Sequence, residues 1–286
     1  MRRLFPGLGL LLALLAVTLG GQTGAFAASA LRPPAASFKR GVASSRFLAY
    51  KPGVLSALGA TWAYNWSATA PPRSRGLDWV PMVWGGGSVT EATIAHLRAA
   101  RVSGRASSLL AFNEPDSSSQ SNMTVEQAAR LWPQLERTGL RLGSPAPAVP
   151  GDGWLARFMA LARARHLRVD FIALHYYQDF TNPRAVTRLR RQLIAIHDRY
   201  HKPIWITEIG ALDIRRWHEP MLRAPTDSLA AAYMRRVFLI LDSLVFIKRY
   251  AWFTDDCWND RGCRFSSLFT SGGRRTQAGR TFATAP

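Results

Sequence analysis

The chain has 286 residues, 48% of them hydrophobic, which is enough to bury a sizeable core as one large α/β body or two small ones. Its formal charge of +19 would suggest a nucleic-acid partner if the basic residues were clustered. Arginines such as Arg98, Arg101, Arg130, Arg137, Arg163, Arg188, Arg190 and Arg235 are instead scattered over amphipathic runs, so they read as solvated faces, with adhesion to an acidic envelope or polymer as the alternative, and no nucleic acid is expected.

At the N-terminus Arg2 and Arg3 precede an apolar segment from Leu8 to Leu19, followed by Ala25-Phe26-Ala27 and Ala28-Ser29-Ala30, two small-x-small sites. Residues 1–30 therefore read as a secretory signal peptide, with an uncleaved anchor as the alternative. No later run approaches the roughly 20 apolar residues that span a bilayer, so no stable membrane span is expected once the signal is removed. LRPPAAS at 31–37 is a short Pro/Ala linker, and 38–286 shows no further linker or repeat.

Within 38–286, apolar runs predict strands near Gly41–Ala43, Trp62–Tyr64, Trp79–Trp84, Leu109–Asn113, Leu142–Pro145, Phe171–His175, Ile204–Glu208 and Tyr250–Phe253. Between them, three- and four-residue apolar spacing predicts helices at Thr90–Ala100, Thr124–Arg137, Trp154–Ala164, Pro183–Tyr200 and Ser228–Asp242, with a weaker helical signal at Val54–Leu58. Thr124 and Gln127 have the spacing of a capping box. Alternating strands and helices in one undivided body predict an α/β fold, a single-domain (β/α)8 TIM barrel. The rival is an open doubly wound sheet, but Gly85-Gly86-Gly87 has neither dinucleotide nor P-loop spacing.

In such a barrel, reactive side chains gather where strands end. Glu114 follows the run LLAFN and Glu208 follows IWIT, so two carboxylates are delivered by different strands. A retaining glycosidase needs such a pair about 5–5.5 Å apart, one as acid/base and one as nucleophile. Asn113, beside Glu114, is placed to reach a sugar 2-hydroxyl, and an Asx turn is its plainer explanation. His175 and Tyr176 close the sixth strand, where a phenol can donate to Glu208 and His175 supports. Asn65 is a further candidate for sugar contact, and Trp66, Trp84, Tyr177 and Trp252 offer flat faces for pyranose stacking. Trp132, Trp154 and Trp205 read as core.

Cys257 and Cys263 lie six positions apart in DDCWNDRGC and are expected to form a disulfide in an oxidising compartment, with two free thiols as the alternative. Two cysteines without a second Cys or His pair cannot complete a tetrahedral zinc shell, so no metal site is expected there.

YNWS at Tyr64–Ser67, PMVWG at Pro81–Gly85, AFNEPD at Ala111–Asp116, SPA at Ser144–Ala146, DFIALHYY at Asp170–Tyr177 and WITEIG at Trp205–Gly210 together resemble glycoside hydrolase family 128 of clan A. That resemblance implies a retaining endo-β-1,3-glucanase with Glu114 as acid/base, Glu208 as nucleophile and no cofactor. It implies β-glucan polysaccharide or oligosaccharide as partner, and a secreted or envelope-associated monomer is expected. A clan A hydrolase of other specificity and a non-catalytic glycan-binding barrel are the alternatives.

Overall fold

The structure, a computed structural model, describes residues 37–44, 51, 53–71, 76–150, 153–217, 220–257 and 262–286. The signal-peptide reading of 1–30, and all but the last residue of the 31–37 linker, lie outside the described residues. Residues 33–286 group into one compact unit.

Among the described residues there are nine strands: β1 (Arg40–Ala43), β2 (Trp62–Tyr64), β3 (Asp78–Trp79), β4 (Met82–Val83), β5 (Ser108–Ala111), β6 (Arg141–Leu142), β7 (Ile172–Tyr176), β8 (Ile204–Ile209) and β9 (Ile247–Phe253). They pair in parallel, in the orders β3-β2-β1-β9-β8-β7 and β4-β5-β6. The predicted strand Trp79–Trp84 is split into β3 and β4 at Val80-Pro81, because proline has no N–H to give the ladder. β3 serves one sheet and β4 the other, so this split strand is one joint between them. At the other joint, Gly143 bridges Phe171, and the Ser144 N–H donates to the Phe171 carbonyl at 2.9 Å. Eight strand positions thus follow one another in chain order, the arrangement of a (β/α)8 barrel.

The five predicted helices appear as α1 (Glu91–Val102), α2 (Val125–Glu136), α3 (Trp154–Ala164), α4 (Ala185–Tyr200) and α5 (Asp227–Ser243). A sixth, α6 (Gln277–Thr284), has no counterpart in the sequence reading, and the Val54–Leu58 signal is a 3-10 turn at Ser56–Leu58. The capping box forms as expected: the Gln127 N–H donates to Thr124 Oγ1 at 3.1 Å, and the Thr124 N–H donates to Gln127 Oε1 at 2.8 Å. Among the described residues no helix is long and apolar enough to cross a membrane.

Strand alternation builds two cores. Residues facing the helices, including Val42, Leu109, Leu174, Ile206, Tyr250 and Trp252, join the larger one. Ala43, Trp62, Tyr64, Met82, Leu110, Phe171, Ala173, Trp205 and Ala251 fill the barrel interior. Two big interior rings need glycine beside them: a Cβ on Gly41 would lie 2.4 Å from the Trp62 indole, and one on Gly143 would lie 2.5 Å from the Phe171 ring. Above this plug Trp66, Trp84 and Phe253 pack on the interior cluster and border a cleft.

Candidate active site

β5 delivers Glu114. Beyond Ala111 the backbone takes left-handed conformations at Phe112 (φ 53°) and Glu114 (φ 43°). Such conformations cost a non-glycine residue on the order of 1 kcal/mol, and they persist only where neighbours over-determine them. Here the Phe112 N–H donates to Val83 O at 2.8 Å, Asn113 N–H to Trp84 O at 2.8 Å and Glu114 N–H to Ala146 O at 2.9 Å. Asp116 accepts from the Ala148 and Val149 N–H groups at 2.8 and 3.2 Å, which ties this loop to the one after β6.

β8 delivers Glu208 through a bulge. Trp205 faces the interior and Ile206 faces the helices, so strict alternation would turn Glu208 toward the helices as well. The β7–β8 register instead pairs Leu174 with Ile206 and His175 with Glu208, leaving Thr207 as an extra residue. That one-residue insertion flips the parity and brings Glu208 to the cleft beside His175.

Three side chains donate to Glu208. The Tyr64 hydroxyl reaches Oε1 at 2.9 Å, the Trp66 indole N–H reaches Oε1 at 2.8 Å, and the Tyr177 hydroxyl reaches Oε2 at 2.5 Å. Together they fix the orientation of the carboxylate. Burial, and then the charge of Glu208, hold the Tyr64 and Tyr177 hydroxyls well above the ordinary tyrosine range, so both stay protonated donors.

His175 is fully buried beneath the carboxylates. Its Nδ1 lies 2.8 Å from Glu114 Oε1, close enough for the pair to share a proton. Its Nε2 stands 3.4 Å from Glu208 Oε1, an ion-pair approach without a formed hydrogen bond. Burial pulls the imidazole pKa down, but the charge of Glu208, the hydrogen bond and charge of Glu114, and Asp116 together raise it above its ordinary value. A raised native pKa means that this stabilisation is fully present below about pH 6.5, the unfolded value, and is lost as pH climbs through the native one. The stability lost in His175→Asn, measured by urea unfolding, is therefore expected to be largest below about pH 6 and to shrink as the pH rises above the ordinary imidazole range. A loss that grew with pH would overturn this sign.

One oxygen of each glutamate and a ring nitrogen of His175 all lie within 4.8 Å of one another, so the two carboxylates stand side by side in the cleft. This trio is also the set of potential metal ligands in the site. The donor chemistry does not suit a cation, because both Glu208 oxygens already accept from O–H or N–H groups aimed at them. The cleft over the pair has a volume of about 470 Å³. Trp66, Trp84, Tyr177 and Phe253 form aromatic walls, and Asn113, Ser119, Gln120, Leu212 and Cys263 complete the lining.

Most of the expected site residues converge here, with three corrections: Trp252, Tyr176 and Asn65. Trp252 is not a stacking platform: it is fully buried between Tyr233 and Phe238, and its indole N–H donates to Ser266 O at 2.7 Å. On β9, Tyr250 and Trp252 face the helices while Ala251 and Phe253 face inward, so the neighbouring Phe253 takes the wall position. Tyr176 likewise points outward to Gln192, and burial pushes its hydroxyl up to about 12. The phenol on Glu208 is Tyr177, one residue on.

Asn65 is half-buried between Tyr64 and Trp66 and is not part of the cleft lining, and its Oδ1 has no hydrogen-bond partner among the described residues. Tyr64, Gln120, Leu212 and Phe253 are site residues that the sequence reading did not select. The YNWS motif pointed to Tyr64, but only strand parity shows that it faces inward. Cys257 and Cys263 form the expected disulfide, with Cα atoms 5.7 Å apart, and Cys263 borders the cleft.

Comparison with known proteins agrees with this geometry. Residues 50–282 match the family model described as the glycosyl hydrolase catalytic core. A GH128 subgroup I endo-β-1,3-glucanase from Amycolatopsis mediterranei, crystallised with laminaritriose and laminaribiose, superposes with a TM-score of 0.76 at 36% identity, covering 87% of this chain and 100% of that one. A GH128 subgroup II endo-β-1,3-glucanase from Sorangium cellulosum gives a TM-score of 0.69 at 27% identity, covering 87% and 98%. Alkali-sensitive linkage protein 1 of Schizosaccharomyces pombe is 29% identical over 203 residues, 68% of this chain, and the chain spans about a third (34%) of that protein's length. A family match across most of the chain, joined to the close structural agreement, makes this a glycoside hydrolase: the chain belongs to the glycosyl hydrolase catalytic core family and, within it, to GH128.

Proposed function

We propose that the chain is a retaining endo-β-1,3-glucanase that acts outside the cytoplasm, with Glu208 as nucleophile and Glu114 as acid/base. The observation that carries this reading is the facing carboxylate pair, with one oxygen of each within 4.8 Å of the other. An inverting enzyme needs roughly 6.5–9.5 Å, room for a water between them, whereas direct attack needs the closer spacing. The substrate class is inferred from the laminari-oligosaccharides bound to the Amycolatopsis relative.

In the first step Glu208 attacks the anomeric carbon and the glycosidic C–O bond breaks as Glu114 gives its proton to the leaving oxygen. In the second, Glu114 takes a proton from water, whose oxygen displaces Glu208 and restores the β configuration. The hydroxyls of Tyr64 and Tyr177 and the indole of Trp66 orient the attacking carboxylate, while the His175 ring lies against Glu114. Asn113 borders the position of the 2-hydroxyl, and Trp66, Trp84 and Tyr177 offer faces to the sugar rings.

The mechanism needs no cofactor. We further propose residues 38–286 as the catalytic domain, acting as a monomer without a nucleic-acid partner. Residues 1–30 would be an export signal, consistent with the Cys257–Cys263 disulfide.

Incubation with β-1,3-gluco-oligosaccharides, reading product sizes and anomeric configuration together, tests the proposal. Internal cleavage with initial β products is expected. Products of α configuration would remove the retaining mechanism, and release of single glucose units from one end would remove endo action. Tyr177→Phe should lower kcat by about 10- to 100-fold with little change in KM, the value of one hydrogen bond to a charged group. An unchanged kcat would show that this phenol does not tune the nucleophile.

A further inference from the structure

We infer that the Cys257–Cys263 disulfide is a positioning element of the active site, acting through Tyr177 to hold its hydroxyl on Glu208. The inference rests on the hydrolase reading above and extends it to a pair of residues outside the carboxylate machinery. Both cysteines are buried, and among the described residues they form a small apolar cluster with Leu212 and Ile214, separate from the two cores of the barrel. Tyr177 and Phe253 pack against this cluster and also line the cleft. The disulfide therefore belongs to the layer that supports the cleft wall.

Tyr177 depends on that support. It stands one residue beyond the end of β7, so the strand ladder does not place its ring. The ring is placed by an edge-on contact with Phe253, with centroids 5.8 Å apart, by the apolar cluster, and by the bond from its hydroxyl to Glu208 Oε2 at 2.5 Å. A hydroxyl that must meet one carboxylate oxygen does so only as firmly as the ring that carries it is packed.

A cluster of four buried residues has few apolar contacts and opens readily, and covalent closure removes that freedom. The loop after β9 is also joined to the loop after β8. The Asp213 N–H donates to Gly262 O at 2.7 Å, and the Ala211 N–H donates to Ser266 Oγ at 3.1 Å. The Cys263 carbonyl accepts from the Ser266 and Ser267 N–H groups at 2.8 and 3.2 Å, and the Cys257 N–H donates to Ser267 Oγ at 3.3 Å. The closed disulfide thus fastens this loop against the continuation of β8, the strand that delivers Glu208. With the bond absent, the cluster loosens and the Tyr177 ring gains room to turn its hydroxyl away. That hydroxyl meets the attacking carboxylate, so the effect falls on kcat more than on KM.

A double-mutant cycle tests this, with kcat and KM measured on a β-1,3-linked glucopentaose. Cys257→Ser/Cys263→Ser should lower kcat by about 10-fold and leave KM within about 2-fold of wild type. In a Tyr177→Phe background, where the hydroxyl is already gone, the same pair of changes should lower kcat by less than about 2-fold.

Equal losses in the two backgrounds would overturn the inference in favour of a merely structural disulfide, and so would an unchanged kcat in the double cysteine variant. If that variant failed to fold by thermal melting, Ile214→Ala would decide, because it trims the same cluster with both cysteines in place. Its kcat should also fall, and the fall should vanish in the Tyr177→Phe background. No fall, or one that persisted there, would contradict action through Tyr177. Wild-type inactivity on every β-1,3-glucoside would instead bring down the hydrolase reading itself, a result distinguishable from any variant outcome.

Discussion

Glu208→Ala is expected to lower kcat by about 10⁴-fold or more while leaving the protein folded, and added azide should restore turnover with an α-glycosyl azide as product. Removing the nucleophile opens space on the face of the sugar opposite the leaving group, so a small anion entering there inverts the anomeric carbon. Glu114→Ala should behave differently on an activated aryl glycoside. Its leaving group departs without an acid, the glycosyl-enzyme intermediate accumulates, and azide then gives the β product. The two product configurations assign the two roles independently of any rate. Exchanged configurations would exchange Glu114 and Glu208, and no rescue in either variant would undo the double displacement. Thermal unfolding of both variants separates lost chemistry from lost fold, since Tyr64, Trp66 and Tyr177 lose their shared acceptor in Glu208→Ala.

The carboxylate pair was legible in the sequence because each glutamate ends an apolar run, and a run that can only be a buried strand places its last residue at the barrel mouth. What could not be read was parity. Trp252 and Phe253 are both aromatic, as are Tyr176 and Tyr177, and composition does not say which of two adjacent rings faces inward. Parity depends on register, and register depends on insertions such as Thr207, which leaves no compositional mark. Six-residue spacing sufficed to read the disulfide, and the barrel emerged from the alternation of elements, although the strand broken at Pro81 reads as continuous. Gln120 sits in the polar loop DSSSQSN, where nothing distinguishes it from its neighbours until the amide of Asn113 is seen against it. α6 was missed because it is only eight residues long and its stability comes from a partner distant in sequence.

That partner is Arg40, and Arg40→Met is expected to cost about 3–5 kcal/mol of stability and to lower Tm by about 6–20 °C. Arg40 lies on β1 with 1% of its surface exposed, unlike the solvated arginines expected on the helical runs. Its Nη1 donates to the carbonyls of Phe282 at 3.1 Å and Ala285 at 3.2 Å, and its Nη2 donates to the carbonyl of Pro286. The guanidinium also lies 4.5 Å from the centroid of the Phe238 ring and 5.6 Å from that of Phe282, with Asp242 at 3.9 Å. A buried ion pair can often be exchanged for apolar side chains at no loss, but the acceptors here are mostly backbone carbonyls, which no substitution removes. Methionine would fill much of the volume and leave the C-terminal turn of α6 without its donors. Cleavage after Arg280 by trypsin should accelerate in the variant, because α6 is released before the barrel unfolds. Activity at low temperature should be retained, since Arg40 belongs to none of the strand ends that line the cleft. A Tm within about 2 °C of wild type, with unchanged cleavage after Arg280, would show that α6 is held by Phe282 packing alone.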